Sequence, residues 1–213
     1  MKKELQVRAA ICEVGRRLWQ RGLVSGTGGA ISARLGKKKL IATPGGACVG
    51  HLKPDDLVTT GLDGKPDGSV NAGAEINVHL SIYRRREDCM AIVHAQPPTA
   101  TGFAVGGEEI PDNVLPEAAE VLGSVPLLAY GGPGSEELEE NLAPLLDEHK
   151  TFMLSHHGAL ALGNDVYDAG CRMESLENVT RILMTAKLAG ETRAMPSDAF
   201  DQLLKTSLNG RLD

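Results

Sequence analysis

The sequence predicts an α/β chain with a largely antiparallel sheet covered by helices. Two observations carry that expectation. Short β-like runs come in pairs joined by hairpin turns, and stretches of helical periodicity stand at both ends of the chain and between the pairs. No linker, repeat or low-complexity segment interrupts the pattern, so residues 1–213 are expected to form one domain.

Leu5, Ile11, Cys12, Leu18 and Trp19 recur at helical spacing, and Gly22 after the basic Arg16, Arg17 and Arg21 ends the first helix near Arg21. A glycine-rich turn, Ser25 to Gly29, leads into β-like runs at Ala30 to Leu35 and Lys39 to Thr43. Thr43-Pro44-Gly45-Gly46 is a turn, and Leu57 to Thr60 before Gly61-Leu62-Asp63-Gly64 is a third strand. The period then changes: Ile76, His79, Leu80 and Tyr83 share one face of a helix from Glu75 to Arg86, whose terminal arginines complement its dipole. Ala91 to His94 is a compact strand, and Pro97-Pro98 opens a helix through Val105. A helix from Leu115 to Leu122, a strand from Pro126 to Tyr130 and a helix from Ser135 to about Glu148 follow. Strands at Thr151 to Leu154 and Ala159 to Leu162 flank His156-His157-Gly158. Asn164 or Asp165 caps a long helix to Leu188, and the tail after Pro196 permits one more short helix.

Composition narrows the function. The chain is 42% hydrophobic and 23% charged, and no apolar run approaches the roughly 20 residues that span a bilayer. The N-terminus continues into a mixed-charge amphipathic pattern instead of an apolar signal core, which predicts a cytoplasmic protein with no membrane partner. A net charge of -6 gives nucleic acid no electrostatic reason to adhere. Cys12, Cys48, Cys89 and Cys171 form no CxxC pair and read as reduced packing residues.

His94 and Gln96 stand two residues apart at a strand end, so an extended backbone directs both to one face. His157, also beside a β-like run, meets them if the two strands lie close, and Glu75 supplies a carboxylate. Together they would make a divalent-metal site. Spacing leaves the alternative open that these histidines are hydrogen-bonded structural residues.

A collinear set of motifs goes further. It comprises Thr27-Gly28-Gly29-Ala30-Ile31-Ser32, Thr43-Pro44-Gly45-Gly46, Ala74-Glu75 leading into His79 to Asp88, Ala91 to Pro97, Pro126 to Leu138, and His157-Gly158-Ala159. With these the chain resembles the class II aldolase/adducin family, which includes fuculose-phosphate aldolases and ribulose-phosphate 4-epimerases. The resemblance implies a three-layer class II aldolase-like fold, with a central, largely antiparallel sheet flanked by helices, a homotetramer with sites between subunits, and a metal-dependent enzyme. It matches His94 and His157 to metal ligands and Glu75 to the acid/base residue. The implied ion is zinc.

Two departures from the family pattern matter. Gln96 occupies the place of a family histidine, and an amide oxygen is a harder, weaker ligand, which opens the site to Mn or Mg. Ala30 and Gly73-Ala74 replace an asparagine and a serine pair that bind phosphate in the sugar-phosphate enzymes. Each hydrogen bond to a charged group contributes roughly 1.5–3 kcal/mol, so the three absent donors weaken phosphate binding by on the order of 4–9 kcal/mol, less what water recovers. Thr27, Gly28, Thr43, Gly45 and Gly46 remain as candidates for a substrate or anion site. The tail after Pro196 also lacks the tyrosine that fuculose-phosphate enzymes supply there.

The function implied is a lyase that cleaves a carbon–carbon bond of a small hydroxy-carbonyl compound by retro-aldol chemistry through a metal-stabilised enediolate. Epimerase, dehydratase or decarboxylase chemistry on the same scaffold is the alternative within enzymes. A non-catalytic adducin-like interaction domain is the alternative outside them. His156 reads as exposed or backbone-bonded, and His79 either orients Glu75 or packs on its helix.

Overall fold

The computed structural model describes residues 2–200 and 202. Its helices are α1 (Lys2–Gln20), α2 (Ile76–Arg85), α3 (Pro98–Gly106), α4 (Pro116–Val121), α5 (Glu136–Leu142) and α6 (Val166–Ala189). Its strands are β1 (Ala30–Arg34), β2 (Lys39–Ala42), β3 (Val58–Gly61), β4 (Ala91–Ala95), β5 (Leu127–Leu128), β6 (Thr151–Leu154) and β7 (Gly158–Gly163). The strands form one sheet in the order β3-β2-β1-β4-β7-β6-β5, antiparallel throughout except for the β5–β6 pair. This is the three-layer, largely antiparallel architecture that the sequence predicts.

Alternation along the strands builds two cores. Ile31, Ala33, Val93, Met153 and Ala161 pack with residues of α1, α3, α4 and α6 on one side, while Leu40, Ile92, Phe152 and Leu160 pack with residues of α2 and α5 on the other. The first face is rich in alanine at Ala91, Ala95, Ala159 and Ala161, all fully buried, and α6 lies across β4 and β7 there. Local chemistry sets the helix ends. Asp165 caps α6 by accepting the Asp168 N–H at 2.8 Å, Ser135 caps α5 through Leu138, and buried Glu177 accepts the N–H groups of Thr99 and Ala100 at the start of α3.

Several sequence expectations need correction. The helix expected to run to Glu148 stops at Leu142 and gives way to a 3-10 turn at Ala143–Leu145, where Pro144 has no N–H to continue the α ladder. The strand expected over Pro126 to Tyr130 contracts to Leu127–Leu128, and Tyr130 is exposed. The third strand begins at Val58 because the Leu57 carbonyl accepts from the Arg8 guanidinium instead of a ladder partner. Leu5 and Trp19 are not core residues but stand 56% and 40% exposed. Packing accounts for Cys12 and Cys89, whereas Cys48 is half-buried and Cys171 is exposed beside Arg17. The tail helix begins at residue 197, and its continuation lies outside the described residues.

Candidate active site

The centre of the sheet positions the site. His94, near the end of β4, faces Ala30 on β1 and Leu160 on β7, on the side of the sheet that α2 covers. Glu75 is the N-cap residue of α2, and its side chain makes no capping bond to its own helix. The carboxylate turns toward the sheet, with Oε2 against His94 Nδ1 and Oε1 3.6 Å from His157 Nε2. His157 closes the β6–β7 turn, its N–H donating to the Leu154 carbonyl at 3.1 Å, and His156 takes a left-handed conformation with φ 55°. The two rings meet nearly edge to face, 4.7 Å between centroids.

Glycine at 158 makes that meeting possible. Its φ of 139° disfavours a side chain, and a Cβ there would stand 2.4 Å from the Ala95 carbonyl oxygen. A larger residue would push the start of β7, and His157 with it, away from β4.

Burial alone would raise the Glu75 carboxyl, but contact with His157 and His94 outweighs it and holds Glu75 well below the usual carboxylate range. The group is therefore ionised at neutral pH. Ligand atoms of Glu75, His94 and His157 all lie within 4.8 Å of one another. Apart from the contacts with Glu75, the ring nitrogens of both histidines are buried without a hydrogen-bond partner among the described residues. One nitrogen from each ring and one Glu75 oxygen converge there, and a divalent cation is the group that satisfies one carboxylate and two imidazoles at once. The residues fit a metal.

Gln96 lies just past β4, half-buried, with its Oε1 over Gly28: a Cβ on Gly28 would stand 2.8 Å from that oxygen. The Thr27-Gly28 loop and Gln96 therefore share one edge of the site. Across it, Gly45 packs on Gly73, two residues before Glu75. Several groups expected to bind an anion already have partners. The Gly28 N–H donates to the Ser25 carbonyl, the Gly45 N–H to the Asn71 carbonyl, and Thr43 Oγ1 accepts the Ile31 N–H. Thr27 Oγ1 and the Gly46 N–H have no hydrogen bond among the described residues.

Sequence reasoning missed a polar cluster behind His94. His79 Nδ1 is 2.7 Å from Ser32 Oγ, so the ring serves β1 and does not hydrogen-bond Glu75. Burial pushes His79 down to about 3, and it pushes Tyr83 well above its ordinary value. His79 is thus neutral and Tyr83 protonated. The signal was present in the i, i+4 spacing of His79 and Tyr83. Tyr130 and His156 continue the β5–β6 register beyond the strand ends, with ring centroids 6.2 Å apart. A separate cavity of about 470 Å³, lined by Arg34, Lys37 and Arg84 among others, contains none of the residues of this site.

Comparison with known proteins places this geometry. The family model described as the Class II Aldolase and Adducin N-terminal domain matches residues 9–184. The 3-oxo-tetronate 4-phosphate decarboxylase of Pectobacterium atrosepticum is 33% identical over 187 residues, 86% of this chain and 86% of the relative. The L-fuculose phosphate aldolase of Methanocaldococcus jannaschii is 33% identical over 175 residues, 81% of this chain and 92% of the relative. Among solved structures, an L-fuculose 1-phosphate aldolase superposes with a TM-score of 0.84 at 27% identity, covering 94% of this chain and 95% of that one. The Escherichia coli protein YgbL superposes with a TM-score of 0.86 at 26% identity, covering 94% and 99%.

Proposed function

This chain belongs to the class II aldolase and adducin family, and from that premise we propose that it is a metal-dependent lyase cleaving a carbon–carbon bond of a small hydroxy-carbonyl compound. The observation that carries the reading is the convergence of Glu75, His94 and His157, whose ligand atoms lie within 4.8 Å of one another. In this reading His94 and His157 hold the ion and Glu75 touches it when substrate is absent. A divalent cation bound there would polarise the substrate carbonyl and stabilise the negative charge of the enediolate that cleavage leaves. Glu75, ionised and in contact with His94, moves the proton. Gln96 ligates weakly or through water. Thr27, Gly28, Thr43, Gly45 and Gly46 form the substrate-binding rim, with the Thr27 and Thr43 hydroxyls and the Gly46 N–H offering its free donors. Zinc is the first choice of ion, with Mn or Mg admitted by the amide at position 96. We assign the working form to a cytoplasmic homotetramer, the assembly usual in the family.

Retro-aldol cleavage is the leading reaction. Decarboxylation of a 3-oxo acid is the second reading, favoured by the decarboxylase relative that matches 86% of the chain. The two are chemically close, because loss of an aldehyde or of carbon dioxide from the right carbon leaves the same kind of enediolate. Product analysis separates them. Metal-loaded protein is given a ketose 1-phosphate and a 3-oxo-tetronate, each with and without phosphate, and aldehyde and carbon dioxide are measured. Aldehyde release supports the aldolase reading, and carbon dioxide supports the decarboxylase. Neither product, in a protein that takes up no metal, overturns both and favours the interaction domain. Metal content of the native protein and of Gln96→His gives the second arm: ion held only by the variant means that Gln96 has disabled the site.

A further inference from the structure

His79 lies one helical turn beyond Glu75 on α2 and has no exposed surface. Its surroundings determine which of its nitrogens carries the proton. The Tyr83 hydroxyl donates to the Ser32 carbonyl at 3.0 Å, so its oxygen is left to accept from Ser32 Oγ, also 3.0 Å away. With its own proton directed to Tyr83, Ser32 Oγ can only accept from His79, and the 2.7 Å contact is therefore Nδ1–H donating to Oγ. Every donor in the cluster then has an acceptor, and His79 Nε2 carries a lone pair. That Nε2 is buried and has no partner.

The neighbouring ring has the complementary need. His94 presents Nδ1 to Glu75, and its Nε2 is buried without a partner. An imidazole that gives one nitrogen to a metal carries its proton on the other, and that N–H almost always finds an acceptor which fixes the ring. The His79 and His94 ring centroids are 6.3 Å apart, with planes inclined at 45°. The rings are neighbours and no hydrogen bond joins them, so a link between their outer nitrogens takes a bridging water or a closure of the pair.

We propose that His79 is the positioning residue for His94, its Nε2 accepting the outer N–H of that ring directly or across one water while Ser32 and Tyr83 hold it in the accepting tautomer. The inference rests on the reading of His94 as a metal ligand. It makes the buried polar cluster part of the metal site and gives β1 and α2 a role beyond packing.

The test measures zinc affinity by competition with a chromogenic chelator, alongside thermal melting, for the wild type, His79→Leu, His79→Gln and Ser32→Ala. His79→Leu is expected to weaken zinc binding by roughly 10–100-fold, the usual effect of losing an outer partner. His79→Gln, which keeps an acceptor, should recover part of that loss. Ser32→Ala leaves the ring in place but releases its tautomer, and should weaken binding several-fold; it serves where His79→Leu does not fold. Imidazole nitrogen NMR of the metal-free protein should find His79 protonated on Nδ1. A folded His79→Leu that binds zinc as tightly as the wild type overturns the inference alone, as does an Nε2–H tautomer. A wild type that takes up no zinc, manganese or magnesium overturns the metal reading and the inference with it; where manganese or magnesium is the ion taken up, the same variants are compared on that ion. A purely structural His79 would lower the melting temperature and leave the zinc affinity unchanged.

Discussion

Gly158 lies so close to Ala95 that a Cβ on the glycine would stand 2.4 Å from the alanine carbonyl oxygen. This contact seats the start of β7 against the end of β4 and brings His157 to within 4.7 Å of His94, centroid to centroid. Gly158→Ala adds one methyl group in the worst place for it, at a φ of 139° and against backbone that cannot yield. The expected cost is about 1–3 kcal/mol of stability, with loss of bound metal because the two imidazoles no longer converge. Elemental analysis beside a thermal melt checks both; unchanged metal content would mean that the ladder can shift without moving His157.

Much of this arrangement was legible in the sequence, for identifiable reasons. β1, β2, β4 and β7 alternate or run apolar between strong turn signals, and His94, Glu75 and His157 sit at element ends where motif order marks them. The adjacency of β4 and β7 was not legible, since it joins strands more than sixty residues apart and periodicity speaks only to local structure. Nor was the contact of Gln96 with Gly28, which joins a strand end to a loop nearly seventy residues earlier. The pairing of Ser32 with His79 was not legible either, since spacing offered Glu75 as the partner of His79 and only the fold brings β1 and α2 together around it. The end of α5 was readable in Pro144, but the acidic first turn masked its weight.

Glu75 offers a clean separation of binding from chemistry. Glu75→Gln keeps the volume and one oxygen but cannot exchange a proton, while His94 and His157 stay in place. Turnover should fall by roughly 10²–10⁴-fold, the usual contribution of a positioned acid/base group, with metal content retained. Full residual activity in a metal-loaded variant would refute the assigned role.

Phosphate recognition should be weak. Ala30 stands beside His94 with no polar side chain, Gly73-Ala74 offer no hydroxyl, and the Gly28 and Gly45 N–H groups already donate to carbonyls. What remains is the hydroxyl protons of Thr27 and Thr43 and the Gly46 N–H, few donors for a dianion. Turnover of a phosphorylated substrate and its dephosphorylated form should therefore be comparable in kcat/KM. A preference of a thousandfold or more for the phosphate would show that donors from outside this chain complete the site.

Finally, burial of His79 makes a prediction about stability and pH. Burial is the main cause that brings the ring from its ordinary 6.5 down to about 3, with His94 adding to the fall and Glu75 opposing it. Above pH 6.5 the ring is neutral folded or unfolded and contributes no pH dependence. Below 6.5 the unfolded chain takes up a proton that the folded protein refuses, so stability declines as pH falls, by about 1.4 kcal/mol per unit, and levels off below about 3. Between pH 6.5 and 5 the wild type should lose about 2 kcal/mol more than His79→Gln, because other titrating groups cancel in the comparison. Urea unfolding of both proteins at the two pH values measures the difference. Parallel losses would mean that the buried ring accepts its proton in the folded state, and that water reaches the Ser32–His79–Tyr83 cluster.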